Sequence, residues 1–80
     1  MKDTLHYIIT AIVDSPDAVI IDEQTVDGVD TFSVTVAKDD MGKIIGKEGK
    51  VIRSIRNVMK IAAMKQDKRI TINLVEQSQE

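Results

Sequence analysis

The sequence predicts an α/β chain of the two-layer α+β kind, in which helices cover one face of a three-stranded mixed sheet. Apolar residues recur at helical spacing in three segments and form short strand-like runs in three others, in the order helix, strand, strand, helix, helix, strand. A chain of 80 residues that is 42% hydrophobic can build one small core. We therefore expect a single domain over residues 1–75 and a polar tail at residues 76–80.

The N-terminal segment predicts a helix followed by an edge strand. Pro16 ends the helix, because the residue before a proline resists the helical conformation. Residues 18–26 then predict a strand whose polar second half suits a partly exposed edge of the sheet. The helix face, spaced i, i+3, i+4, i+7 and i+8, comprises Leu5, Ile8, Ile9, Ile12 and Val13.

A hairpin turn signal at residues 27–30 separates this strand from the next one. Beyond the turn, Phe32, Val34 and Val36 alternate with polar residues. This alternation predicts a strand with one buried face.

Two adjacent acids, Asp39 and Asp40, precede a short helix at residues 41–45. Such a pair can serve as a metal site or as an acid–base pair. Ahead of a helix, however, it is far more often the N-cap and a first-turn charge, and this is the interpretation we favour.

The last helix, predicted at residues 50–66, is the longest element. A break at residues 67–68 separates it from a final strand at residues 69–74. Because two helices connect this strand to the preceding one, the two strands should lie parallel through a right-handed crossover. The predicted apolar face of the helix comprises Val51, Ile52, Ile55, Val58, Met59 and Ala62, a second face carries Lys50, Arg53, Arg56 and Lys60, and the strand directs Ile70, Ile72 and Leu74 inward.

Charge is distributed unevenly along the chain. The formal net charge is −2, which by itself argues against a nucleic-acid partner. Residues 1–37 carry seven acids and one lysine, whereas residues 38–69 carry ten basic and four acidic side chains. A domain whose basic side chains are concentrated in one region can bind phosphate there even when its net charge is negative.

Two glycines, Gly46 and Gly49, interrupt the helical pattern at the centre of the basic region. A tight turn there stops one helix and starts the next, whose free N–H groups are directed at the turn. Without a Cβ, the main chain is open to a phosphate, and Lys47 and Lys50 add positive charge. The turn predicts phosphate binding, with a plain corner between helices as the alternative. A nucleotide-binding P-loop fits poorly, since the glycine spacing differs and no Ser or Thr follows the lysine.

The run Ile45–Gly49, followed by Ile52 and Ile55, resembles the I-G-x-x-G signature of KH domains. In that family the G-x-x-G loop clamps the backbone of about four single-stranded nucleotides. The resemblance covers nearly the whole chain, and it is closest to the small stand-alone bacterial KH proteins of the KhpA type. It implies a type II KH-like order of elements, single-stranded RNA as the ligand, self-association, and pairing with a second KH-containing RNA-binding protein.

The resemblance and the charge distribution together place RNA on the glycine turn. Glu48 departs from an ideal clamp, because its negative charge repels the phosphate.

Tyr7 and Phe32 are the only aromatic residues, so the chain cannot build the stacking platform of RRM or OB domains. We therefore expect weak, modestly selective binding of RNA. The predicted RNA site comprises Gly46 to Gly49, with Lys43, Lys47, Lys50 and Arg53 on the phosphates and Ile45 and Ile52 against the bases.

Ile61 and Met64 lie outside the predicted apolar face of the last helix, on the side that carries Asn57. Two exposed apolar residues at i and i+3 on the main helix of a small domain predict a partner surface. We expect a homodimer that packs these helices across a two-fold axis, with Ile61 near its centre.

The residues provide no support for catalysis. The chain has no cysteine, His6 is the only histidine, and no nucleophile–base set or cluster of metal ligands is visible. We expect no cofactor, no metal, no membrane association and a cytoplasmic location. The predicted function is non-catalytic binding of single-stranded RNA, as an RNA chaperone or post-transcriptional regulator. The alternative is a protein-interaction or dimerisation module whose RNA binding is incidental.

Overall fold

The structure, a computed structural model, describes residues 1–75 and has the expected order of elements. The predicted polar tail at residues 76–80 lies outside the described residues. Short 3₁₀ turns at Pro16–Ala18, Lys38–Asp40 and Lys47–Gly49 connect the main elements, and the first of them delays the start of the first strand from residue 18 to Ile20. The elements are α1 (Lys2–Ile12), β1 (Ile20–Val26), β2 (Val29–Thr35), α2 (Met41–Ile45), α3 (Lys50–Lys65) and β3 (Arg69–Val75).

The three strands form one mixed sheet with β2 at its centre. β1 pairs with β2 in antiparallel fashion through the predicted hairpin, whose turn residues Asp27 and Gly28 have φ values of 53° and 79°. Positive φ at both positions is the geometry of a tight type I′ hairpin. β3 pairs with β2 in parallel, because α2 and α3 carry the chain back to the start of the sheet. The sheet type and the type II KH-like order are confirmed.

The core lies between the helices and one face of the sheet. Phe32 and Val34 of β2 are fully buried on that face, and Ile72 of β3 is 4% exposed. On the opposite face, Thr31 and Thr71 stand side by side in the register and are at least partly exposed. Helix residues that complete the core include Leu5 and Ile9 of α1, Ile44 of α2, and Ile55 and Met59 of α3.

The predicted apolar face of α3 is wrong at one position. Val58 is 52% exposed, whereas Ala63, which the pattern did not include, is 1% exposed. The buried face follows Ile55, Met59 and Ala63 in steps of four residues, and Val58 lies about 100° from Met59 around the helix axis. Val58 therefore joins the outer surface of α3.

Asp40 occupies the predicted N-cap position of α2, but its side chain makes no capping hydrogen bond to that helix. Its carboxylate accepts hydrogen bonds from the backbone N–H groups of Asp14 and Ser15, at the corner after α1. Asp40 thus satisfies the donors of a distant segment.

The helices among residues 1–75 include none that is both long enough and apolar enough to cross a membrane.

Candidate nucleic-acid interface

The glycine turn forms a compact loop between α2 and α3. Gly46 ends α2 with φ 76° and ψ 174°, and Gly49 caps the start of α3 with φ 74° and ψ 15°. The loop is held by its own backbone, since the Gly46 N–H donates to the Gly42 carbonyl at 2.8 Å and the Gly49 N–H donates to the Gly46 carbonyl at 3.2 Å. The first N–H groups of α3 and the positive end of its dipole are directed at this loop.

The two glycines are required for different reasons. A Cβ on Gly46 would lie 2.3 Å from Cγ2 of Val51 and 2.8 Å from the Val51 backbone nitrogen, so no side chain fits there. A Cβ on Gly49 would meet nothing within 4 Å, and only its positive φ disfavours a side chain. Between them, Glu48 also adopts a left-handed conformation, with φ 58°. Gly46 therefore sets how closely the loop packs on α3.

All four predicted phosphate-binding cations are exposed, and three of them, Lys47, Lys50 and Arg53, lie in the loop or in the first turn of α3. Nζ of Lys50 lies 4.0 Å from the carboxylate of Glu48, so the charge of this glutamate is partly offset by its neighbour. Lys47 and Arg53 make no ion pair with any acid among residues 1–75. Their charges are available to an anionic ligand.

Lys43 is placed differently from the other three cations. Its ammonium donates a hydrogen bond to the carboxylate of Asp14 and lies 4.0 Å from Oδ1 of Asp40. The hydrogen bond to Asp14 raises the pKa of Lys43 above its ordinary value, so this ammonium stays protonated at neutral pH. The charge of Lys43 is therefore already matched within the protein.

The two isoleucines predicted to contact bases also differ. Ile45, at the end of α2, is 38% exposed and presents apolar surface beside the loop. Ile52 is 7% exposed and belongs to the core. Only Ile45 offers a side chain that a base can contact directly, whereas Ile52 supports the first turn of α3 from below.

A groove of about 710 Å³ between α3 and β3 was not predicted from the sequence. Ala63, Ile70 and Ile72 supply apolar lining. The side chain of Arg56 reaches from α3 to β3, where its Nε–H donates a hydrogen bond to the backbone carbonyl of Ile72 at 3.1 Å. Four cations line the groove: Arg56 and Lys60 from α3, Lys68 from the turn before β3, and Arg69 from the start of β3.

The cationic stripe of α3 links the loop to this groove. Lys50 and Arg53 lie beside the loop, and Arg56 and Lys60, one and two turns further along the helix, line the groove. The sequence pattern predicts the stripe, whereas the wall that β3 contributes depends on tertiary packing.

The outer surface of α3 carries an exposed apolar strip, formed by Val58, Ile61 and Met64. They are 52%, 59% and 66% exposed. Their spacing of three residues keeps them on one side of the helix. Asn57 and Met64 also line the groove, so the strip and the groove share an edge.

Known proteins are similar to this chain over nearly its whole length. A family model described as "KhpA/KhpB, KH domain" matches residues 2–74. The chain is 44% identical over 78 residues to the RNA-binding protein KhpA of Chlamydia caviae, covering 95% of this chain and 97% of the relative. It is 40% identical over 75 residues to the RNA-binding protein KhpA of Clostridium acetobutylicum, covering 94% of this chain and all of the relative. The RNA-binding protein KhpA of Listeria monocytogenes is 33% identical over 76 residues, with 95% of this chain and all of the relative covered.

Proposed function

The chain belongs to the KhpA/KhpB family of KH domains, and from that membership we propose that it binds single-stranded RNA without catalysis through the loop Gly46–Gly49. The observation that carries this proposal is the loop itself. Its backbone is free of side chains at Gly46 and Gly49, and it is flanked by Lys47 and Arg53, which make no ion pair within residues 1–75. Exposed N–H groups at a helix start, together with mobile cations, favour bound phosphate.

We place the RNA backbone on the loop and the following bases in the groove between α3 and β3. The stripe from Lys50 to Lys60 provides a continuous positive path between these two places. Ile70 and Met64 line the groove and are at least partly exposed, so they can contact the faces of bases, while polar backbone groups of an edge strand can contact their edges.

We expect binding by one domain to be weak and only modestly sequence-selective. Phe32 is fully buried and Tyr7 lies on α1, so neither stands in the groove. Stacking on an aromatic side chain contributes roughly 1–3 kcal/mol per base in proteins that use it. Without that contribution, most of the affinity should come from phosphate contacts.

The test is a titration of the protein into labelled RNAs at several salt concentrations, followed by fluorescence anisotropy. A mixed-sequence single strand of a few tens of nucleotides should bind, and a duplex of the same length should bind more weakly. For the single strand, log K should fall against log salt with a slope of about −0.7 per phosphate neutralised. Equal binding of strand and duplex, or a slope near zero, would contradict the proposal.

We propose the cytoplasm as the location and an RNA chaperone or post-transcriptional regulator as the role. A small domain that holds single strands weakly can keep them open for pairing without altering them covalently. This role assigns no reaction to the chain and requires no cofactor.

A second candidate function is protein interaction, which the exposed strip Val58, Ile61 and Met64 favours. We propose that this strip packs against a second copy of the chain, or against another KH-containing RNA-binding protein of the same family. A homodimer would hold two loops on one particle, which raises avidity for RNAs long enough to reach both. If the strip binds partners while RNA binding is absent, the domain is an interaction module.

The substitution Ile61→Asp is expected to convert the dimer to a monomer. A carboxylate at the centre of an apolar interface would be buried without a partner on association, whereas it remains solvated in the monomer. Analytical ultracentrifugation over a range of protein concentrations measures the change. Val26→Asp is the matched control, because Val26 is also 59% exposed but lies on β1. Unchanged sedimentation of Ile61→Asp would remove α3 from the interface.

A further inference from the structure

Asp40 is the only buried polar or charged residue among residues 1–75, with 2% of its surface exposed. Both of its carboxylate oxygens are occupied. Oδ1 accepts the N–H of Asp14 at 3.1 Å, and Oδ2 accepts the N–H of Ser15 at 3.0 Å. Burying a charged group is costly unless hydrogen bonds satisfy it, so a carboxylate retained in such a place has a specific structural role.

These hydrogen bonds join segments that are 25 and 26 residues apart in sequence. Asp14 and Ser15 form the corner after α1, while Asp40 immediately precedes α2. α2 has only five residues, of which Ile44 alone is buried. A helix this short is not stable by itself, so its position depends on its tertiary contacts.

Lys43 provides a second connection to the same corner, on the first turn of α2. Its ammonium donates to the carboxylate of Asp14 and lies 4.0 Å from Asp40. Asp40 and Lys43 therefore hold α2 to the end of α1 at two points. The next residues along the chain, Ile45 and Gly46, lead directly into the loop.

We infer that Asp40 is a positioning residue for the glycine loop, and that Lys43 acts with it through Asp14 instead of contacting RNA phosphate. The inference rests on the proposed function for its effect on RNA, but the anchoring itself is a property of the free protein. We call the contacts of Asp40 and Lys43 with the corner at Asp14 and Ser15 the anchor. Loss of the anchor lets α2 move, and the N–H groups of the loop then no longer converge on one phosphate.

The substitution Asp40→Asn tests the anchor, because an amide keeps the shape of the side chain but has one oxygen acceptor. Its NH₂ group would face one of the two backbone N–H donors. Asp39→Asn is the matched control, since Asp39 is the exposed neighbour with the same change in charge. Circular dichroism establishes that both variants are folded.

Amide hydrogen exchange of Gly46 and Gly49, the two loop amides that donate backbone hydrogen bonds, is measured without RNA and is the first readout. In Asp40→Asn these amides should exchange roughly threefold to tenfold faster, the change expected when one net hydrogen bond is lost, while Asp39→Asn matches the wild type. A merely structural role would speed exchange in the buried strand β2 and leave the loop unchanged. That result would overturn the inference.

Salt-dependent RNA binding of Lys43→Gln is the second readout, and it does not depend on Asp40→Asn being folded. If Lys43 is part of the anchor, affinity for a mixed-sequence single strand falls severalfold while the salt slope stays the same. If Lys43 contacts a phosphate, the slope becomes shallower by about 0.7, and the role assigned to it is wrong. Should the wild type fail to bind RNA, the proposed function is lost, and the exchange rates of Lys43→Gln and Asp40→Asn still decide the anchor.

Discussion

Replacing Gly46 by alanine is expected to lower the free energy of unfolding by roughly 2–6 kcal/mol and to remove RNA binding. Two effects add at this position. Backbone with φ 76° and ψ 174° is adopted almost only by glycine. The new Cβ would also overlap the side chain and backbone nitrogen of Val51, and this backbone cannot yield without displacing the start of α3. Urea denaturation measures the loss of stability.

Gly49→Ala is the matched comparison, because the same methyl group meets no atom within 4 Å at this position. Only the left-handed backbone opposes it, at a cost of roughly 1–2 kcal/mol. Gly49→Ala should therefore remain folded and keep more RNA affinity than Gly46→Ala. Equal destabilisation by the two substitutions would mean that the close packing of Gly46 on Val51 does not determine the loop.

Much of the fold could be predicted because its signals are local in sequence. The alternation of Phe32, Val34 and Val36 identified β2, and the turn signal at residues 27–30 identified the hairpin. The parallel pairing of β3 followed from the two helices that precede it. The pattern failed at Val58, since a helix face drawn from apolar residues alone does not reveal where the neighbouring elements end.

The candidate site was predicted only in part, because several of its properties depend on residues far apart in the chain. Nothing near Lys43 in the sequence indicates that Asp14 pairs with it across 29 positions. The burial of Asp40 depends in the same way on the corner after α1. The groove could not be predicted from the sequence, because it depends on how α3 packs beside the edge strand β3. Local pattern identified the loop, whereas tertiary contacts distinguish the paired Lys43 from Lys47 and Arg53.

Reversing the charge of Lys47 is expected to weaken RNA binding by roughly tenfold to a hundredfold, since a hydrogen bond to a charged group contributes about 1.5–3 kcal/mol. Lys47 is exposed and makes no ion pair with any acid in the described part of the chain. Its replacement therefore leaves no buried group without a partner, and the fold should be unaffected. Lys65→Asp is the matched control. It changes the net charge equally, but Lys65 lies in the last turn of α3 and does not line the groove.

The measurement that tests the loop most directly is the anisotropy of one labelled single-stranded RNA titrated with wild type, Lys47→Asp and Lys65→Asp at about 50 mM and 200 mM salt. Circular dichroism confirms that all three are folded. The account predicts that only Lys47→Asp loses affinity, and that its salt slope becomes shallower by at least about 0.7. Equal affinity of all three proteins, or an equal loss in both variants, would show that the loop does not hold the RNA backbone.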